Sequence, residues 1–317
     1  MKRIIYVPQY PTQMRYSEWW YWKFELEFKQ RGYEVYTLGA NKLNELQLKR
    51  GNSEMFSPID ASIEFECAQI NEYMQMEIKD SDILFLSDIS FPGIFPNVLF
   101  HKHTKNMYAF CHATSLNFQD YFSKQTPLKF PIESSHSKLF KSIFVGSEYH
   151  KEKLGWKNTV VTYLPYHPFI TKESTEKYYD IISVSRPTPQ KVNSVLEKKV
   201  EERFSPIIRK EFNAWKGYFN FLNESKILLI TSHEDTFGLQ IVDAVTNDCI
   251  PLAPNRCAYP EILPKEYLYD SEEELYALID RCLAGEMKVP TLLCDQEMKN
   301  FYNRIIDIME TDPSYPF

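Results

Sequence analysis

Short apolar runs, each followed by a stretch with helical spacing, recur along this 317-residue chain. The first unit shows the pattern. Arg3–Val7 is a short, mostly apolar run. Ser17 caps an expected helix through Arg31, carrying Trp19, Trp20, Trp22, Phe24 and Phe28, and Gly32 stops it. Tyr33–Leu38 is then the second strand. A helix near Ile63–Ile78 and strands at Ile83–Ser87, Met107–Cys111, Ile143–Gly146 and Val160–Leu164 continue the series. Strands alternating with helices make a parallel sheet whose two faces the helices cover.

Between Pro165 and Tyr178 the chain turns polar, the composition of an interdomain linker. A second series follows. Strands are expected at Asp180–Ser185, Ile227–Thr231 and Ile250–Ala253, and helices at Gln190–Phe204, Ala214–Glu224, Gly238–Thr246 and Ser271–Ala284. A last helix near Gln296–Glu310 is expected to pack back on the first domain. The fold class is therefore α/β, with a first domain over 1–170, a second over 171–295 and a returning segment over 296–317.

Composition narrows the function. Formal net charge is −7, whereas a non-specific nucleic-acid binder is usually basic. A local basic groove remains compatible with that total. Glycine is scarce at 9 residues and aromatics are frequent at 15%, which argues against Gly-rich phosphate loops. Six cysteines are scattered without a CxxC pair, as in reduced cytosolic proteins. No apolar run approaches the ~20 residues of a membrane span, and the N-terminal run is too short for a signal peptide. A cytoplasmic location is expected, the host's if the chain is viral. No His, Cys or Asp spacing matches a zinc site.

The strongest chemical signal runs from Thr231 to Pro254 and on through Pro260-Glu261-Ile262. A strand end, a polar loop and a helix starting near Phe237–Gly238 present free amides and a positive dipole end, suited to a phosphate. Gly238 permits close backbone approach. Asp235 precedes the helix and Asp243 lies within it, and carboxylates there suit sugar or ribose hydroxyls. The plain reading makes Asp235 a cap and Asp243 a solvated helix residue. A second signal pairs Arg186 with Lys191 at a strand-to-helix junction, Lys191 opening the helix. Two cations so placed suit a diphosphate. The plain alternative is an unremarkable surface pair.

The first of these stretches resembles the signature of family-4 retaining glycosyltransferases, in which two Glu residues, with seven residues between them, span a Phe-Gly step. Here the acids are Asp235 and Asp243, each one methylene shorter, and Cys249-Ile250-Pro251 stands where Gly-x-Pro is usual. The spacing of Arg186 and Lys191 is similar to the family's Arg-x-x-x-x-Lys element. The resemblance implies a GT-B fold: two Rossmann-like domains facing across a cleft, the second shortened here. Only about 36 residues separate Lys191 from Ile227, where the family fits a further strand pair.

In function, the resemblance implies retaining transfer from a nucleotide-diphosphate sugar, with no metal and no other cofactor. Arg186 and Lys191 would neutralise the leaving diphosphate, assisted by the amides from Phe237 to Leu239. Asp235 would touch the donor sugar and Asp243 the ribose, with Thr236 beside them. His112 ends an apolar strand at the ligand-binding sheet edge, where the family places a sugar-contacting His. The transferred group is a hexose or a pentose. The stretch from Tyr259 to Tyr269 resembles the branch with the queuosine-tRNA mannosyltransferases, and phage glycosyltransferases of modified DNA bases are similar in style. Both suit a nucleic-acid acceptor.

Acceptor contacts are expected from Tyr10, Arg15 and Tyr16 in the first strand-to-helix loop and from Asp88 after Ile83–Ser87. Helix capping is the plainer task for Asp88, and a core position the plainer reading for at least one of Trp19 and Trp20. Two alternatives stay open: a GT-B sugar-nucleotide epimerase, and a non-catalytic nucleotide-binding scaffold, which the Asp-for-Glu changes favour.

Overall fold

A computed structural model describes residues 2–45, 59–117, 122–168 and 176–311. The chain divides into two compact units. One comprises Met1–Gly146, Lys151–Thr162 and Asn300–Phe317, and the other Ser147–His150 and Tyr163–Lys299.

The first sheet contains β1 (Arg3–Val7), β2 (Glu34–Thr37), β3 (Ile83–Leu86), β4 (Asn106–Cys111), β5 (Ser142–Val145) and β6 (Thr159–Val161). Their order is β2-β1-β3-β4-β5-β6, and every pairing is parallel. β3 and β5 are buried at every position, as strands covered on both faces must be. The accompanying helices are α1 (Tyr16–Gln30), α2 (Ala40–Glu45), α3 (Ile59–Gln75), α4 (Thr126–Ser137) and α5 (Glu148–Leu154).

The second sheet contains β7 (Tyr179–Ile182), β8 (Ser225–Leu229), β9 (Ile250–Pro254) and β10 (Leu268–Tyr269), in the parallel order β10-β9-β8-β7. Its helices are α6 (Ser194–Arg203), α7 (Trp215–Asn223), α8 (Leu239–Thr246), α9 (Tyr259–Ile262), α10 (Glu272–Leu283) and α11 (Asp295–Lys299). Where a further strand pair was in question, one parallel bridge from Ile182 to Ile208 borders β7. The chain ends with α12 (Phe301–Thr311), which packs against α1 in the first unit.

Several sequence expectations need correction. Ser17 does not cap α1. Arg15 takes that position, and the Ser17 hydroxyl accepts from the Thr12 amide at 3.1 Å. Glu18 reaches back to accept from the Met14 amide at 2.8 Å, tying the loop ahead of α1 to the helix's first turn. Lys191 lies in a turn before α6. Asn193 caps that helix, accepting from the Leu196 amide, because Asn competes for the cap better than Gln190. The single C-terminal helix is two, with Asn300 starting α12 afresh through its carbonyl bond from the Arg304 amide. α3 begins at Ile59, ahead of the expected Ile63. Of the expected linker, residues 169–175 lie outside the described residues.

The first unit's core is built from rings. Trp19 and Trp20 are both buried, one more than the sequence required, because Trp19 also packs on its neighbour at 6.0 Å between centroids. Trp20 meets Phe24 at 4.9 Å and Phe110 at 5.1 Å, and Phe24 meets Phe85 at 4.9 Å. Phe301 of α12 closes the group, 5.6 Å from Trp20 and 5.9 Å from Phe24. Edge-to-face pairs of this kind add about 0.5–1.5 kcal/mol each beyond their burial. Phe301→Ala is expected to destabilise the first unit by about 3–5 kcal/mol. Urea unfolding followed by Trp fluorescence reads this directly, and an unchanged midpoint would show that α12 contributes nothing to the core.

Candidate functional site

In the second unit the polar chemistry gathers where β8 gives way to α8. Residues 188–193 are laced to residues 231–235 by main-chain and side-chain bonds. The His233 amide donates to the Gln190 carbonyl at 2.9 Å, the Ser232 hydroxyl to the Lys191 carbonyl at 3.1 Å, and the Asn193 amide to the Thr231 hydroxyl at 3.0 Å. Upstream, the Ser185 hydroxyl donates to Gln240 in the first turn of α8 at 3.0 Å. Arg186, half-buried, directly follows that tie. The segment carrying both cations is thus held against the start of α8.

Lys191 Nζ lies 2.8 Å from Asp235 Oδ2 and donates to the Glu234 carbonyl at 3.1 Å. Asp235 Oδ1 accepts from the Phe237 amide at 3.3 Å, and Tyr259 donates its hydroxyl to Oδ2 at 3.4 Å. Asp235 is therefore a cap and an ion-pair partner together. Glu234 is buried and accepts from the Tyr149 hydroxyl at 3.5 Å. Asp235, not Glu234, is the acid that faces Lys191.

Gly238 is the residue before α8, with φ +106°. A Cβ there would stand 2.9 Å from the Tyr259 ring. Backbone conformation and lack of space both require glycine at this point. The turn it makes lets α8 begin at Leu239 with its amides unobstructed by a side chain at the cap. Phe237 is buried, and the Thr236 carbonyl accepts from the Ser147 hydroxyl at 2.6 Å. Arg186, Lys191, Asp235, Thr236, Phe237, Gly238 and Leu239 thus belong to one locus.

Asp243, one turn into α8, is buried rather than solvated, correcting the plain reading. It accepts the Tyr218 hydroxyl at 3.0 Å from α7. Burial pushes its carboxyl up to about 7, and the Tyr218 bond only partly offsets this. Desolvation likewise holds the Tyr218 hydroxyl well above its ordinary range, with the neighbouring Asp243 charge adding to it. Tyr218 carried no sequence signal, because the residues that oppose it come from a different helix. Ser185 and Gln240 were invisible for the same reason.

In the first unit His112 directly follows β4 and is largely buried. Its ring stacks on Tyr16 at 4.2 Å and lies 4.6 Å from both Trp20 and Phe110. Arg15 is half-buried at the start of the same helix. Tyr10 is a core ring 5.8 Å from Phe65, so its face is not a stacking platform. Asp88 does not cap a helix. Its two oxygens accept from the Ser90 amide at 3.0 Å and the Gln9 side chain at 3.3 Å, the former a local turn. Desolvation pushes the Asp88 carboxyl up to about 8, a shift that the nearby Glu66 and Glu133 reinforce.

Asp88 and Tyr10 line a shallow recess with Gln9, Glu66, Phe91 and Phe95, with room for about one water molecule. This recess sits at the carboxyl ends of β1 and β3, the neighbours between which the strand order reverses. Ligands of open α/β sheets bind at such switch points. Among the described residues, no group of three or more His, Cys, Asp or Glu is placed to hold a metal ion. No described helix is long and apolar enough to cross a membrane.

No family model matches the chain. Over 58 residues, 18% of this chain, it is 38% identical to the tRNA-queuosine alpha-mannosyltransferase of Drosophila melanogaster. That stretch covers only 15% of the fly protein. Solved structures align along nearly the whole length. Anabaena HepE, in complex with UDP and glucose, matches with a TM-score of 0.67 at 12% identity, covering 99% of this chain and 100% of that one. Trehalose-6-phosphate synthase OtsA gives 0.63 at 11%, covering 98% and 99%. The lipopolysaccharide outer core galactosyltransferase WaaB gives 0.62 at 13%, again covering 98% and 99%. At such identities the likeness speaks for the fold: the chain has the α/β fold of GT-B glycosyltransferases, built on parallel sheets.

Proposed function

We propose that this chain is a retaining glycosyltransferase that takes a hexosyl or pentosyl group from a nucleotide-diphosphate sugar and passes it to a hydroxyl of a modified nucleobase in DNA or tRNA. The observation that carries the reading is the second-unit locus, where the segment bearing Arg186 and Lys191 is laced to the loop that starts α8. Cations and open helix amides together suit a pyrophosphate. HepE, which shares the fold, was solved with UDP and glucose, which supports a donor of this class. The acceptor half rests on the short match to an enzyme named for tRNA-queuosine.

In this reading Arg186 and Lys191 stabilise charge on the departing diphosphate, together with the amides from Phe237 to Leu239. Asp235 orients Lys191 and meets the donor sugar. Asp243 takes a ribose hydroxyl, sharing its carboxyl with Tyr218. His112, held by Tyr16, Trp20 and Phe110, presents its ring to the sugar. Tyr10, Arg15, Tyr16 and Asp88 serve the acceptor. No side chain is assigned as nucleophile, and the donor phosphate takes the acceptor proton on the face from which the diphosphate leaves. The chain is placed in the cytoplasm.

A non-catalytic scaffold is the second reading, favoured by the Tyr218 hydroxyl already occupying Asp243. Two measurements separate them. At a concentration 100-fold above Kd, a true donor or its nucleoside diphosphate adds about 2.7 kcal/mol of stability. A thermal-shift series of nucleoside diphosphates and their sugars is expected to give at least one clear rise in Tm, and Arg186→Ala is expected to abolish it. No response from any member would sink the donor assignment. Lys191→Ala and Asp235→Ala are expected to lower donor turnover by about 10²–10³. Turnover absent in the parent protein favours the scaffold, and an isomerised sugar without free diphosphate favours an epimerase.

The buried acid makes a pH prediction. The folded protein holds the Asp243 proton more tightly than the unfolded chain does, since its carboxyl is pushed up to about 7. That contribution to stability is full below the ordinary aspartate range and is lost as pH rises through about 7. Asp243→Asn cannot ionise. It is expected to gain on the parent by on the order of 1–3 kcal/mol between pH 5 and 8, by urea unfolding. A difference that stays constant with pH would mean that Asp243 is already ionised in the fold.

A further inference from the structure

Parallel strands all begin at one sheet edge, so the residues just ahead of them line up there. In the first unit those residues are lysines on three successive strands. Lys105 precedes β4, Lys141 precedes β5, and Lys157 stands two residues ahead of β6. The register is explicit. Ser142 pairs with Tyr108 and Ile143 with Thr159, so continuing the alignment backwards sets Lys141 beside Met107 and opposite Lys157. The Lys141 amide donates to the Met107 carbonyl at 2.8 Å, and its ammonium reaches the Asn106 side chain at 2.9 Å. Lys141 thus lies over the start of β4, between the other two.

Neighbouring strands are about 4.8 Å apart, so the backbones that carry these lysines follow one another closely along the edge. Lys102 extends it at the β4 end, donating to the Met74 and Met76 carbonyls, and exposed Lys138 lies in the turn leading to β5. Carbonyl and amide partners do not cancel these charges. Among the described residues, Asp80 pairs with Lys105 at 2.8 Å. Lys105 itself keeps 71% of its side chain exposed, and Lys157 is exposed. This concentration of positive charge occurs in a chain whose formal total is −7. Like charges on adjacent strands repel, and a polyanion laid along them relieves that repulsion.

We propose that the lysine row at the amino edge of β4–β6 binds the phosphate backbone of a nucleic acid. The inference rests on the acceptor half of the proposed function and gives it a docking surface. β4 itself carries His112 just past its other end. Six residues at about 3.3 Å span roughly 20 Å, less than the ~34 Å of one duplex turn. A duplex held at the row therefore has the length to bring a base to the His112 edge. An extended line of ammonium groups also matches a strand of phosphates better than it matches dispersed lipid headgroups.

The test uses the full chain, a fluorescein-labelled 20-base-pair RNA stem-loop and its DNA counterpart, with anisotropy read from 50 to 200 mM salt. Three phosphate contacts correspond to about a 40-fold loss of affinity over that range. The parent protein is expected to lose at least that much. Lys105→Glu/Lys141→Glu/Lys157→Glu is expected to bind at least ten-fold more weakly and to flatten the salt dependence. Lys198→Glu/Lys265→Glu, which changes the same kind of charge in the second unit, is expected to match the parent. Circular dichroism melting confirms that both variants fold. No binding by the parent, or an unchanged salt slope in the triple variant, overturns the proposal. Binding to phosphatidylglycerol vesicles but not to either nucleic acid also overturns it, in favour of a lipid surface. The nucleoside-diphosphate thermal shift is read in parallel. If it persists while nucleic-acid binding fails, the row is wrong and the donor reading stands.

Discussion

The second unit depends on a strip of hydrogen bonds that joins two loops at the carboxyl end of β7 and β8. Bonds to Gln190, Lys191 and Asn193 from residues 231–233, with the Ser185–Gln240 tie, leave the 185–193 segment one place to lie. A lysine on a free loop would spend much of its charge on water and side-chain entropy. Lys191 is half-buried against Asp235 and the Glu234 carbonyl, so its ammonium is aimed before any ligand arrives. Preorganised charge of this sort costs little to reorient when a reaction develops negative charge beside it. The bend at Gly238 complements it, because the amides of α8 start where the tethered segment ends.

Two aspartates eight positions apart meet opposite surroundings. Asp235 has a lysine ammonium, a main-chain amide and a tyrosine hydroxyl within reach. Asp243 has one phenolic hydroxyl and an apolar helix face around it, and desolvation dominates. Lys191 comes to the first acid, and Tyr218 of α7 closes on the second. The same residue type thus makes an ion pair at one position and sits buried against a phenolic hydroxyl at the other.

The first unit solves a different problem. With few glycines and many rings, its sheet is packed by Trp20, Phe24, Phe85, Phe110 and Phe301. The same ring group runs up to the sheet edge and holds His112 between Tyr16, Trp20 and Phe110. Core packing and the orientation of a candidate sugar-contacting ring are therefore one set of contacts. At the switch point a different mixture applies. Lys129 gives its ammonium to the Ser90 and Pro92 carbonyls, and Glu66 takes the Ile94 and Phe95 amides, so the loop after β3 is pinned from both sides of the recess.

Strand positions were legible because buried parallel strands are written as unbroken apolar runs, and α8 because Gly238 and the Asp235 loop mark its start. α4 was not singled out, since Pro127 and Pro131 break its helical pattern. The start of α6, expected at Gln190, lies at Ser194, because Asn193 is the better cap. The sequence by itself determined the α/β class, the strand-to-helix junctions and the residue types at them, because local spacing and backbone preference act over a few residues. Only the tertiary structure decided that Asp243 faces Tyr218, that Tyr10 is core, that Ser185 anchors to Gln240 and that three lysines share one edge. Those are contacts between elements distant in the chain, and burial, register and desolvation exist only once the elements have packed.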